Sequence, residues 1–231
     1  MTGTAQQSSA PARRPAIDAK AIIFDMDGVI VDSEPRHERA FLEVARELGY
    51  ENNLGITFAD YIGRSDKELW IDFVAKHNPS RPLEELLAMK RARVIEIIRT
   101  EQPLFDGLVG LVQKVAEYYK LALASGSERP VIEEVLNLQG LHCYFPVVVS
   151  GSEVTRGKPA PDIFLRTADL LGVAAKDCCV IEDSKPGVAA ALAAGMQVIA
   201  ITNTHPAEEL RSATHVLRNY SEIEDLLVPS S

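Results

Sequence analysis

Asp25 and Asp27 stand two positions apart, directly after an apolar run, in the stretch AIIFDMDGVIVDSE at residues 21–34. Like charges so close repel, and the end of a buried strand is a costly place to desolvate them. Something cationic has to offset them. Three later stretches supply polar residues of complementary kinds: Ser125 and Gly126 in ASGS, Lys158 in RGKPAPD, and Glu182 with Asp183 in IEDS. A divalent metal could hold Asp25, Asp27 and Asp183 together with Glu182 beside them, and Lys158 would add a further positive charge. Hard carboxylate oxygens suit Mg2+. So oriented, the Asp25 carboxylate is a competent nucleophile toward phosphorus. Asp27 would donate a proton to the leaving oxygen and then take one from the attacking water. Its side chain cannot ligate and carry a proton at once, so its backbone carbonyl is the expected metal ligand. Ser125, the backbone N–H groups around Gly126, and Lys158 would hold the remaining phosphoryl oxygens.

These positions are far apart in the chain, so the fold must gather them. AIIF (21–24), LALA (121–124), VVV (147–149), CCVI (178–181) and QVIAI (197–201) are short apolar runs, with HVL (215–217) a weaker sixth. None alternates with polar residues, which is the pattern of parallel strands covered on both faces. Amphipathic segments separate most of them. The prediction is an α/β fold, a doubly wound parallel sheet with right-handed crossovers. In such sheets ligands bind outside the carboxyl ends of the strands, and each candidate residue lies at or just after such an end. Between 35 and 103 the alternation stops, and PRHERAFLEVARELG, DKELWIDFVAKH and LEELLAMKRARVIEIIRT all read as helices. That is too much for a simple crossover. The expected organisation is a disordered tail over 1–16, an α/β core over 17–34 and 104–231, and an inserted helical cap over 35–103. The linkers near Ser33–Pro35 and Gln102–Gly107 would form a hinge.

The totals narrow the partners. A net charge of −9, with no long Lys/Arg run, argues against nucleic acid. No apolar run approaches the ~20 residues of a membrane span, and the polar start lacks the apolar stretch of a secretory signal. A cytoplasmic protein, monomeric and without a membrane partner, is expected. Cys143, Cys178 and Cys179 show no CxxC spacing, so neither a disulfide framework nor a zinc site is supported. Cys178 and Cys179 read as strand packing, and Trp70 as packing inside the helical insert.

The motifs DxDGV with DSE, a strand-end Ser, a Lys in GKPxPD and the acid pair in EDS together resemble the haloacid dehalogenase superfamily of phosphotransferases, over residues 18 to 227. The resemblance implies that Asp25 becomes an aspartyl phosphate. Dehalogenases proper lack the second Asp of the first motif, so Asp27 points to phosphoryl transfer. A helical insert right after the first motif matches the small-capped branch that includes β-phosphoglucomutase and many sugar-phosphate phosphatases, and His37 coincides with that family's hinge position. Mutases usually carry a Lys just before a cap Gly, with Arg and Ser following. Here Ile62 precedes Gly63, and Asp66 and Leu69 stand at the later two positions. Arg64 or Lys67 could reach a substrate. DMDGV differs from the first motif of phosphonoacetaldehyde hydrolases, and a receiver-type signalling module is about half this size with no helical insert. The resulting expectation is a Mg2+-dependent phosphatase for a small phosphomonoester, a sugar phosphate, with a β-phosphoglucomutase-like mutase as the alternative.

Overall fold

Apolar runs that do not alternate are satisfied only between two covered faces. The structure, a computed structural model, describes residues 17–61 and 66–229; the tail expected over 1–16 and the candidate Arg64 lie outside these. The first strand, β1 (Ala21–Phe24), is buried along its whole length. Its side chains alternate between two apolar clusters, Ile22 and Phe24 on one face of the sheet and Ala21 and Ile23 on the other.

The chain continues through α1 (Glu34–Glu47), α2 (Asp66–His77) and α3 (Leu83–Glu101). It then alternates: α4 (Leu108–Val115), β2 (Lys120–Ser125), α5 (Arg129–Asn137), β3 (Val147–Ser150), α6 (Asp162–Leu171), β4 (Cys178–Glu182), α7 (Lys185–Ala193), β5 (Gln197–Ile201), α8 (Ala207–Leu210), β6 (His215–Leu217) and α9 (Tyr220–Leu227). Among the described residues the sheet has six strands in the order β3-β2-β1-β4-β5-β6, every neighbouring pair parallel. The doubly wound sheet expected from the sequence is therefore present. Helices α4, α5 and α9 cover one face through Leu111, Ile132 and Ile223. Helices α6, α7 and α8 cover the other through Phe164, Val188 and Leu210. Cys178 and Cys179 are fully buried, one on each face.

The insert between β1 and β2 has its own apolar cluster of Phe41, Val44, Leu69, Trp70, Phe73 and Leu86. Phe41 meets Trp70 and Phe73 edge-on, with ring centroids 5.1 and 5.9 Å apart. The inner parts of α1 and α3 belong elsewhere: Ala40, Val94, Ile97 and Ile98 join the cluster under the sheet. The two crossings between insert and sheet run side by side. Asp32 N donates to the Pro103 carbonyl at 2.9 Å, and Phe105 N to that of Ile30 at 3.3 Å. Arg36 bridges the same two crossings, to Asp32 at 2.6 Å and Glu101 at 3.0 Å. No helix among the described residues is long and apolar enough to cross a membrane.

Because Phe41 links α1 to α2 at the centre of the smaller cluster, Phe41→Ala should cost about 3–5 kcal/mol. Urea unfolding would register this, and a loss below ~1 kcal/mol would show that the cluster collapses around the gap.

Candidate active site

The sheet order reverses beside β1, which lies between β2 and β4. At such a switch point the helices diverge and leave a crevice above the strand ends. Asp25 follows β1 there, and its N–H continues the ladder to the Ile181 carbonyl at 3.0 Å. Ser125 ends β2, Glu182 ends β4, and Asp183 comes next. Lys158 arrives from the loop between β3 and α6. Its Nζ donates to Asp25 Oδ1 at 2.5 Å and to Glu182 Oε1 at 2.6 Å, and it stands 5.1 Å from the Phe164 ring centroid.

Glu182 is fully buried, yet all its bonding capacity is used. Oε2 accepts from Asp183 N, Ser184 N and the Ser184 hydroxyl at 2.8, 2.8 and 2.9 Å. Those donors belong to the start of α7, where the helix dipole favours an anion. Ser184 caps the helix, its hydroxyl accepting from Gly187 N at 3.1 Å. A Cβ on Gly187 would lie 1.6 Å from Glu182 Oε1, so glycine is required there. Gly28 is required in the same way: its φ is +75°, and a Cβ would lie 1.8 Å from Asp183 Oδ2. The Thr204 hydroxyl also donates to that oxygen.

Asp27 has separate surroundings. Its carboxylate accepts from the hydroxyls of Ser33 at 2.6 Å, Ser127 at 2.8 Å and Ser125 at 3.1 Å. His37 Nε2 lies 3.8 Å away. Ser125, expected on a phosphoryl oxygen, thus spends its hydroxyl on Asp27 and accepts from Ser127 N at 3.0 Å. Gly126 is exposed at the rim. Behind His37, its Nδ1 contacts Nζ of Lys90, which is only 2% exposed on α3. Lys90 was missed in the sequence, although a signal was there. It falls in the i, i+4 series Leu86, Lys90, Val94, Ile98, which is otherwise the apolar stripe of α3.

The two aspartates are driven apart electrostatically. Burial pushes Asp25 up to about 8; Lys158 opposes this, while Glu182 and Asp27 reinforce it. Burial likewise raises Asp183 well above the usual carboxylate range, helped by Glu182 and Asp25. Asp27 goes the other way. Burial opposes the shift, but the nearby His37 and the hydroxyls of Ser33 and Ser127 outweigh it and hold Asp27 at about 2. For Lys158, burial is overcome by the charges of Asp25 and Glu182, and its pKa is raised.

Oxygens of Asp25, Glu182 and Asp183 lie within 4.8 Å of one another, all three residues buried. Among the described residues Lys158 is the cation paired with Asp25 and Glu182, so three ionised carboxylates here would exceed the positive charge beside them. A divalent cation with a preference for hard oxygen fits that deficit and that donor set, as Mg2+ does. The Asp27 side chain is outside the cluster. A cavity of about 450 Å³ lined by Tyr119, Lys120, Tyr144 and Val147 opens at the opposite ends of β2 and β3, away from these groups.

Residues 19–195 match the family model described as haloacid dehalogenase-like hydrolase. The chain is 35% identical to hexitol phosphatase B of Escherichia coli over 185 residues, 78% of this chain and 82% of that protein. It is 33% identical to an Escherichia coli fructose-1-phosphate phosphatase over 180 residues, 77% of this chain and 94% of the other. Among solved structures, β-phosphoglucomutase from Clostridium difficile superimposes with a TM-score of 0.73 at 26% identity, covering 89% of this chain and 93% of that one.

Replacing Lys158 would leave three buried carboxylates facing each other. Lys158→Met should therefore cost about 3–5 kcal/mol in urea unfolding, and excess MgCl2 should restore part of it. An unshifted midpoint would mean that the acids are neutralised by some other route. Gly187→Ala should cost about 1–3 kcal/mol through overpacking against Glu182.

Proposed function

The chain belongs to the haloacid dehalogenase-like hydrolases, and from that premise we propose that it is a Mg2+-dependent phosphatase acting on a small phosphomonoester, a sugar phosphate. The observation that carries this reading is one buried carboxylate, Asp25, paired with a buried lysine, while a second, Asp27, two residues on, is held by a separate set of donors. Nucleophile and proton carrier are thereby kept apart. The relatives named as hexitol and fructose-1-phosphate phosphatases support the substrate class.

Mg2+, held by Asp25, Asp183 and the Asp27 backbone carbonyl, would neutralise phosphoryl oxygens as charge builds on them. Lys158 opposes the burial that raises Asp25, a bound cation would favour its anion further, and the ammonium is offered to the incoming phosphate. Glu182 acts through the lysine it holds. In the first step an Asp25 oxygen bonds to phosphorus, the ester P–O bond breaks, and a proton on Asp27 passes to the leaving alkoxide. In the second, water bonds to phosphorus, the P–O bond to Asp25 breaks, and the water proton goes to Asp27. The surroundings of Asp27 favour its anion, the form needed for the second step. A phosphate dianion close by raises its pKa and prepares it to donate in the first. Ser127 and the N–H groups around Gly126 stand at the rim where remaining phosphoryl oxygens would lie.

The helical insert at 35–103 serves in this reading as a cap hinged at its two linkers, with His37 relaying its position to Asp27. Specificity belongs to the segment around Ile62–Lys67, which includes Arg64, and to the Ser127–Arg129 turn. Cytoplasmic location and a monomeric state are part of the same reading, as is the absence of nucleic-acid and membrane partners. The mutase alternative draws on the likeness to β-phosphoglucomutase. Against it, Leu69 is 2% exposed inside the insert's apolar cluster and cannot face a sugar.

A panel of hexitol and ketose phosphates assayed for inorganic phosphate, with Mg2+ and with chelator, tests the reading. Asp25→Asn and chelation should each abolish release. Asp27→Asn should slow turnover about 10²–10⁴-fold and trap acid-labile phosphate on the protein. Normal turnover by Asp25→Asn would overturn the nucleophile assignment. An isomerised sugar phosphate formed without phosphate release would favour the mutase.

A further inference from the structure

The turn after Asp27 is fastened from outside the stretch that matches the family model, which stops at residue 195. Asn203, in the loop after β5, donates from Nδ2 to the Gly28 carbonyl at 2.8 Å. The same Nδ2 lies 3.0 Å from the Tyr220 hydroxyl. Tyr220, 7% exposed at the start of α9, in turn donates that hydroxyl to the Val29 carbonyl at 2.6 Å. Gly28 N completes the set by donating to the Val31 carbonyl at 2.9 Å. Three successive peptide planes, 27–28, 28–29 and 29–30, are each pinned by a hydrogen bond. The first of them carries the Asp27 carbonyl. Beside Asn203, the Thr204 hydroxyl holds Asp183 Oδ2, the oxygen that packs directly on the Gly28 Cα.

Two adjacent residues therefore grip the two sides of one site, the turn after β1 and the acid after β4. A cation that needs fixed oxygen positions, as Mg2+ does, binds more tightly when those positions are set before it arrives. We propose that Asn203, Thr204 and Tyr220 are positioning residues that preorganise the divalent-cation site, so that the C-terminal segment of the chain sets its affinity. This rests on the metal centre proposed above.

Isothermal titration of the full chain with MgCl2, in the absence of substrate, is the direct test. Tyr220→Phe and Thr204→Val should each weaken Mg2+ binding about tenfold or more, and Thr204→Ser, which keeps the hydroxyl, should bind as the wild type does. In phosphate release, the Mg2+ concentration for half-maximal rate should rise by the same factor while kcat at saturating Mg2+ and the substrate KM stay within about twofold. Thr204 is exposed, so Thr204→Val carries the test even if Tyr220→Phe loosens the fold. Wild-type affinity in both variants, or equal weakening in Thr204→Ser and Thr204→Val, would overturn the clamp and leave the phosphatase reading standing. A wild-type chain that binds no divalent cation would overturn the metal centre and the clamp together.

Discussion

Three carboxylates held out of water around one ammonium group are the constraint that organises this molecule. Asp25, Glu182 and Asp183 come from the ends of two adjacent strands, and Lys158 reaches them from the opposite side of β1 in the sheet order. Burial of that much like charge is unfavourable unless each oxygen has a partner. The surrounding chain supplies partners to both oxygens of Glu182, to Asp25 Oδ1 and to Asp183 Oδ2. The start of α7 supplies Glu182, whose saturation fixes where Lys158 can stand. Lys158 then determines how far Asp25 can remain ionised. Gly28 and Gly187 exist in this scheme as spaces, positions where any side chain would occupy a carboxylate's place.

The same rim gives neighbouring aspartates opposite characters. Asp25 is surrounded by negative charge and apolar walls and is raised to about 8, while Asp27 is surrounded by hydroxyls and an imidazole and is held at about 2. Divergent environments for two like groups are how one site assigns different tasks to the same chemistry. The difference comes from which way each side chain leaves the strand end. Asp25 turns toward β4 and Lys158, and Asp27 toward the serines after β2 and the first turn of α1.

The insert takes part through burial as well as position. Lys90 occupies a place in α3 where the helix pattern calls for an apolar side chain, and its ammonium group meets His37, which in turn faces Asp27. A lysine in an apolar stripe is stable only with such a partner. Ion pairs continue the connection along α3: Arg91 with Glu128, and Arg99 with Glu134 at 2.7 Å, both joining the insert to α5. These are exposed pairs of small individual worth, so the shared apolar contacts of Val94, Ile97 and Ile98 are the firmer attachment.

By itself the sequence determined the strands, because continuous apolar runs have one outcome in a covered parallel sheet. All six were readable within a residue or two, and so was the meeting of Asp25, Asp27, Ser125, Lys158, Glu182 and Asp183 at one rim, because strand ends in such a sheet share it. What each member does to its neighbours was decided only by the tertiary structure. Ser125 bonds to Asp27, Glu182 gives its oxygens to Lys158 and α7, and Lys90, Asn203, Thr204 and Tyr220 reach the rim from segments with no motif of their own. Periodicity and strand order fix where a backbone goes. The pairing of polar side chains depends on distances of an ångström or less between segments remote in the chain, and no local pattern of residues encodes those.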